Sequence, residues 1–153
     1  MLAFASIAAL AACQPTTSNS AELARSPAGL EQAALTVMSG AKVHRFTVEV
    51  ARTAEDQATG LMNRPALAPD RGMVFPFATP RNASFWMKNT LIPLDIIFVR
   101  TDGSIANIAA NTVPLSLEPV PSEGIVGSVL ELPGGRSAEL GIKAGDQVDW
   151  PGR

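Results

Sequence analysis

The block Phe85-Trp86-Met87-Lys88-Asn89-Thr90-Leu91-Ile92-Pro93-Leu94-Asp95 holds the chain's densest group of residues able to do chemistry. Read as a strand, Ser84 to Thr90 places Trp86, Lys88 and Thr90 on one face and Phe85, Met87 and Asn89 on the other. A lysine beside an aromatic wall can hold an anionic or planar ligand. The plainer alternative is a core tryptophan with a lysine whose stem lies along apolar surface. Asp95 interrupts the apolar run Leu94-Asp95-Ile96-Ile97-Phe98-Val99. A carboxylate there must reach water or find a partner, because burying an unpaired charge is costly. Arg64 and Lys88 are the candidate partners. Pro93 bends the chain between two extended segments. The expectation is therefore a polar cluster of Arg64, Lys88, Asn89 and Asp95 at the mouth of a barrel, with Trp86 as its wall.

Glu131, in Val129-Leu130-Glu131-Leu132, raises the same question as Asp95. Two carboxylates can form an acid/base pair, but spacing along a chain gives no distance between them. An ion pair with a cation is the more economical expectation for each. Met62, Met73 and Met87 could offer thioethers to a soft metal, yet methionine is more often an adaptable core filler. The chain has one cysteine, Cys13, and one histidine, His44. That excludes an internal disulfide and the Cys/His zinc sites. A Ser/His/Asp or Cys/His centre would have to recruit His44, which is expected to face solvent at the edge of the folded region. No metal site and no cofactor fingerprint is expected.

The elements that must position these residues are short. The 153 residues include 12 prolines and 12 glycines, a turn-rich composition that favours strands over long helices. The formal net charge of −2, with no basic run, argues against nucleic acid as a partner. Phe46, Val48 and Val50 alternate with Thr47 and Glu49, the period of a half-buried strand. Thr53 to Asp56 reads as a capping box opening a short helix that ends near Gly60. Gly72 to Phe77 is a strand broken at Pro76. Leu94 to Val99 and Ile105 to Ala109 form a hairpin about Asp102-Gly103. A long loop is expected from Asn111 to Gly124. A strand from Ser128 to Leu132, a helical turn at Ser137 to Leu140 and a last strand from Gln147 to Trp150 complete the set. The fold class is mainly β (α+β): a compact, barrel-like domain of about seven short strands with two short helices.

Met1 to Ala12 is uncharged and apolar, too short to span a bilayer at ~20 residues, and matches the apolar region of a secretory signal. Leu10-Ala11-Ala12-Cys13 looks like a lipobox, in which the signal is removed and Cys13 becomes lipidated. The basic start usual in such signals is missing, which leaves open a true start upstream of Met1. Gln14, in place of an inner-membrane-retaining Asp, fits an outer-membrane anchor facing the periplasm. The expected organisation is a signal over 1–12, a lipidated Cys13 with a flexible tether over 13–42, and the β domain over 43–153. The tether is rich in Ala, Ser, Thr and Pro and carries few large apolar groups to offset ordering entropy. Within it, Leu30 to Met38 could form a short helix or an extra strand.

Three blocks, Gly60-Leu61-Met62-Asn63-Arg64, Gly72-Met73-Val74-Phe75 and Phe85-Trp86-Met87-Lys88-Asn89-Thr90-Leu91-Ile92-Pro93-Leu94-Asp95-Ile96-Ile97-Phe98, resemble the DUF192 family. Val129 to Leu132 and Gly141 to Asp146 match its closing pattern, so the resemblance runs from about Val43 to Trp150. It implies a small, β-rich, often exported domain and no particular activity. Many relatives carry a Cys or Tyr between the positions of Val113 and Gly127; this chain has neither, which removes any role resting on such a group.

Two classes of function follow. One is a non-enzymatic cell-envelope module, held at the membrane through Cys13. It would bind an anionic small molecule, a glycan or an envelope protein through Arg64, Trp86, Lys88, Asn89 and Asp95. The other is a small hydrolase or lyase with Asp95 or Glu131 as acid/base and Lys88 or Arg64 stabilising charge. The absence of a nucleophile–base set favours the first. An enzyme would need two titratable groups converging on one concave pocket.

Overall fold

Period-two alternation governs the chain from Gln32 onward in the computed structural model, which describes residues 25–152. The strands are β1 (Gln32–Ser39), β2 (Lys42–Val50), β3 (Arg71–Phe85), β4 (Leu94–Val99), β5 (Ile105–Ala109), β6 (Val120–Pro133) and β7 (Gln147–Asp149). Helices α1 (Ala54–Thr59) and α2 (Arg136–Leu140) are one to two turns each. All seven strands join one sheet in the order β5-β4-β6-β3-β2-β1-β7. Pairing is antiparallel except between β2 and β3, the pair joined by the α1 crossover. The sheet curls until its ends meet. Ser104 bridges Gln147, the Ile105 amide donates to the Asp146 carbonyl at 2.8 Å, and the Val148 amide donates to the Gly103 carbonyl at 2.8 Å. The fold is thus mainly β and barrel-like, as expected.

The central strands are buried on both faces, which explains why β4 reads as a nearly unbroken apolar run. Ile97, Val99, Leu130, Leu132 and Val74 pack with Leu35, Val37, Val48 and Val50 inside the curl. Ile96, Phe98, Val129, Met73 and Phe75 face the other way and pack with Leu61, Met87 and Leu94. Phe75, Phe85 and Phe98 meet edge to face, with centroid separations of 5.1 and 6.2 Å.

Several expected boundaries move. The folded unit starts well before residue 43: β1 pairs with β2 along its whole length, and Leu35 and Val37 are fully buried. Of the helix and the extra strand that Leu30 to Met38 left open, the strand forms, with Ala33, Leu35 and Val37 turned to the core. The strand expected over Ser84 to Thr90 ends at Phe85, and the segment after it is irregular with a turn at Lys88 and Asn89. Upstream, Gly72 to Phe77 is only the start of the 15-residue β3, which continues through Pro76 by register shifts between Pro76 and Arg81. Its partner β6 begins at Val120, inside the expected long loop. Such irregular pairing breaks the alternation that pattern reading depends on. His44 is half-buried on β2 opposite Val37, with Nε2 enclosed, rather than solvent-facing. The expected signal, Cys13 and the first part of the tether lie outside the described residues. Among the described residues, no helix is long and apolar enough to cross a membrane.

Candidate functional site

The capping box at Thr53 fixes one wall of the principal pocket. Its Oγ1 accepts from the Asp56 amide at 3.0 Å, and the Asp56 side chain accepts from the Thr53 amide at 3.3 Å. Gln57 then pins α1 to the sheet by donating to the carbonyls of Ala51 and Pro76, at 3.1 and 2.8 Å. The helix stops at Gly60, whose φ of 48° and ψ of −134° suit only glycine. The chain turns there over the Phe75 ring.

The opposite wall is Trp86 and the turn after it. Met87 is buried and anchors the segment, while Trp86 is 50% exposed. The turn is held by the Thr90 amide donating to the Met87 carbonyl at 3.0 Å, with Asn89 at φ 55°. Asparagine tolerates that left-handed conformation better than most residues. From this turn Lys88 reaches back over Trp86, its Nζ 5.2 Å from the ring centroid. Across the pocket Arg81 lies over Phe77 at 4.2 Å. Both cations are exposed, and among the described residues neither is paired with a carboxylate.

Between these walls lies a cavity of about 230 Å³, lined by Phe75, Phe77, Phe85, Trp86, Arg81, Lys88, Thr90 and residues Gln57 to Met62. Glu131 also lines it. It faces the pocket because register places it between Met73 of β3 and Ile96 of β4, and all three belong to the outward face of the central strands. Gly72 permits the close approach of β3 here: a Cβ on it would sit 2.5 Å from the Glu131 carbonyl oxygen. The Glu131 side chain has no hydrogen-bond or ion-pair partner among the described residues. Burial alone raises its carboxyl to about 8, so at neutral pH it is mainly a neutral acid.

The five residues expected to cluster separate in space. Trp86 and Lys88 line the pocket together. Asn89 shapes the turn beside it, its side-chain amide 3.8 Å from the Met62 sulfur. Arg64 lies elsewhere, in a bidentate pair with Glu49 whose Nη1 to Oε1 distance is 2.9 Å. Asp95 is fully buried and meets neither Arg64 nor Lys88. Its Oδ1 accepts from the amides of Asn111 at 2.7 Å and Gly135 at 2.8 Å, and its Oδ2 from Ser137 at 2.7 Å. It therefore caps α2, whose own N-cap, Gly135, has no side chain to do so. Backbone donors took the place of the expected cations, and the site lies outside the curl of the sheet rather than at a barrel mouth. Met73 and Met87 are buried core residues. Arg81 was missed because residues 78–83 look like a connection between two strands. Glu131 was visible as a polar residue in an apolar strand.

Comparison with known proteins agrees with this architecture. The chain is similar to a protein of unknown function from Novosphingobium aromaticivorans DSM 12444, with 46% identity over 91% of this chain and 100% of that one, and a TM-score of 0.83. It is also similar to a protein from Sinorhizobium meliloti 1021 described as a candidate transcription regulator, with 37% identity over 79% of this chain and 95% of that one, and a TM-score of 0.77. No curated protein matches the chain. The family model described as DUF192, uncharacterized ACR, matches residues 35–150, and the chain belongs to that family.

Proposed function

We propose that this protein is a cell-envelope binding module whose pocket takes an anionic small molecule. The observation that carries the reading is a pair of cations without a carboxylate partner among the described residues, Lys88 on Trp86 and Arg81 on Phe77, flanking one aromatic-walled cavity. Cations held against aromatic faces keep their charge while an apolar body enters between the rings. The pocket holds one titratable carboxyl, Glu131, since Asp95 is committed to α2. That favours binding over a two-carboxylate reaction, which needs a second group within reach.

The test is a thermal-shift screen of the full chain against acidic and neutral envelope metabolites and glycans, followed by calorimetry. Acidic compounds should stabilise the protein, and Lys88→Ala and Arg81→Ala should each weaken binding about three- to tenfold, the range for one exposed to partly buried cation contact. Hits that are all neutral, or affinities unchanged by both substitutions, would overturn the reading.

Placement in the envelope rests on Leu10-Ala11-Ala12-Cys13. Cys13 is proposed to carry the lipid and to hold the domain near the outer membrane. With a working signal start supplied, metabolic labelling with a fatty-acid analogue should mark the parent and not Cys13→Ser. Equal labelling and membrane retention of the two would end the lipoprotein reading.

A further inference from the structure

Glu131 reaches the floor of the pocket with its hydrogen-bonding capacity unspent. It is 5% exposed, lines the cavity and has no side-chain partner among the described residues. Native carboxyls so enclosed are ordinarily paired or bonded, and an exception calls for an explanation. The neighbouring elements supply none. The part of β4 packed over it contributes Ile96 and Phe98, β3 contributes Met73 and Phe75, and Glu55 and Asp56 of α1 do not line the pocket. Arg81 and Lys88 are the charged groups that share the cavity, and neither moves the titration of Glu131, which burial raises to about 8. At neutral pH its hydroxyl is a donor with no acceptor among the described residues.

We propose that Glu131 is the deep recognition group of this pocket, donating a hydrogen bond as a carboxylic acid to a carbonyl oxygen of the bound molecule. The ligand class is then an anion with an uncharged carbonyl at the end away from its charge. The charge meets Lys88 and Arg81 at the rim, the apolar body lies between Phe85 and Trp86, and the carbonyl faces Glu131. A cationic deep end is disfavoured, because a neutral acid gives it no counter-charge and the rim repels its approach. Ionisation of Glu131 removes the donor and sets a negative charge against the carbonyl oxygen, so recognition of that oxygen is lost as pH rises through about 8.

The inference rests on the anion-pocket reading, and one experiment separates the two. Calorimetry on the full chain compares 4-acetylbenzoate with 4-isopropylbenzoate, near-equal in shape and both anionic, at about pH 6 and about pH 9.5, either side of the Glu131 transition. The wild type should prefer the acetyl compound by about five- to tenfold at the lower pH, the value of one hydrogen bond, and lose the preference at the higher. Glu131→Gln, isosteric and non-ionising, should keep the preference at both values, and Glu131→Ala should lack it at both. A preference that survives in Glu131→Ala, or one that ignores pH in the wild type, overturns the inference. Equal binding of both benzoates at the lower pH, weakened by Lys88→Ala, overturns it while leaving the anion pocket standing. Failure of both compounds to bind at the lower pH overturns both.

Discussion

Asp95 and Glu131 occupy successive rungs of one ladder, with Asp95 opposite Leu132 and Ile96 opposite Glu131. Both are enclosed, at 0% and 5% exposure. Their side chains leave opposite faces of the sheet, and their surroundings differ accordingly. Asp95 accepts three backbone N–H donors, from Asn111, Gly135 and Ser137. Those donors belong to the chain ends that follow β5 and β6, so one carboxylate closes two connections. Gly134 lets this happen, since a Cβ there would lie 2.7 Å from both Asn111 Oδ1 and Pro93 Cβ. Glu131 has no such partners and opens onto a cavity. A buried carboxylate with both oxygens engaged is a structural device, whereas one facing a cavity without a donor is a site seeking a ligand.

Removing Asp95 should be the most damaging change. Asp95→Ala strands three N–H groups, that of Ser137 buried and those of Asn111 and Gly135 part-buried, and uncaps α2, at about 1–3 kcal/mol for each unsatisfied group with incomplete additivity. The expected loss is about 4 kcal/mol or more in a urea denaturation series. Asp95→Asn, which keeps an acceptor oxygen but replaces the other with a donor, should lose about half as much. A loss below ~1 kcal/mol in Asp95→Ala would abolish the contrast with Glu131.

Glu131 should instead reveal itself through pH. Its folded carboxyl is raised from 4.5 to about 8. Below about 4.5 folded and unfolded chains both carry the proton, and ionisation of the site costs nothing. Between about 4.5 and 8 the folded chain binds more protons than the unfolded one, so stability falls as pH rises, levelling off above about 8. The loss between about pH 5 and pH 9 should be at most about 4 kcal/mol, an upper limit because water entering the cavity eases the ionised form. Glu131→Gln should flatten that slope and become the more stable protein at the alkaline end. Parallel pH–stability curves for the two proteins would show that the floor of the pocket is not a buried acid.

The same contrast explains how far the sequence could be read. β4 and the Asp102-Gly103 hairpin were legible because alternation, turn residues and length agree at one place; Asp102 even fixes its own turn by accepting from the Ser104 amide at 2.8 Å. The capping box of α1 was legible for the same reason. β1 was only half legible, since Leu30 to Met38 reads equally as a short helix or an extra strand and the strand is what forms; the β3–β6 arm was hidden because register shifts destroy the period. Asp95 and Glu131 were both visible as polar residues in apolar strands. Their partners were not, because Asp95 is satisfied by amides 16 to 42 residues away. Backbone donors have no signature in side-chain type. Side-chain cations looked like the natural partners for that reason alone.

The smallest effects separate Arg64 from Lys88, two cations the sequence placed in one cluster. Arg64 makes a bidentate bond to Glu49, which is itself only 9% exposed. Arg64→Ala leaves that carboxylate enclosed without its partner, and the part-exposed arginine sets the loss between a surface and a buried pair, at about 1–2 kcal/mol. Ligand affinity should not change, because Arg64 lies outside the Trp86 pocket. Lys88 is exposed and stacked over a half-exposed ring, an arrangement that contributes ~0.5–1 kcal/mol at the surface. Lys88→Ala should therefore shift the denaturation midpoint barely outside error while weakening the anion. Measured together by chemical denaturation and calorimetry, the pair gives a crossed pattern: stability lost with affinity kept for Arg64, and affinity lost with stability kept for Lys88. If both substitutions lower affinity equally, Arg64 communicates with the pocket and the separation of the two sites is wrong. If Lys88→Ala is the more destabilising of the two, its place over Trp86 is a packing role, and the rim of the pocket loses one of its two cations.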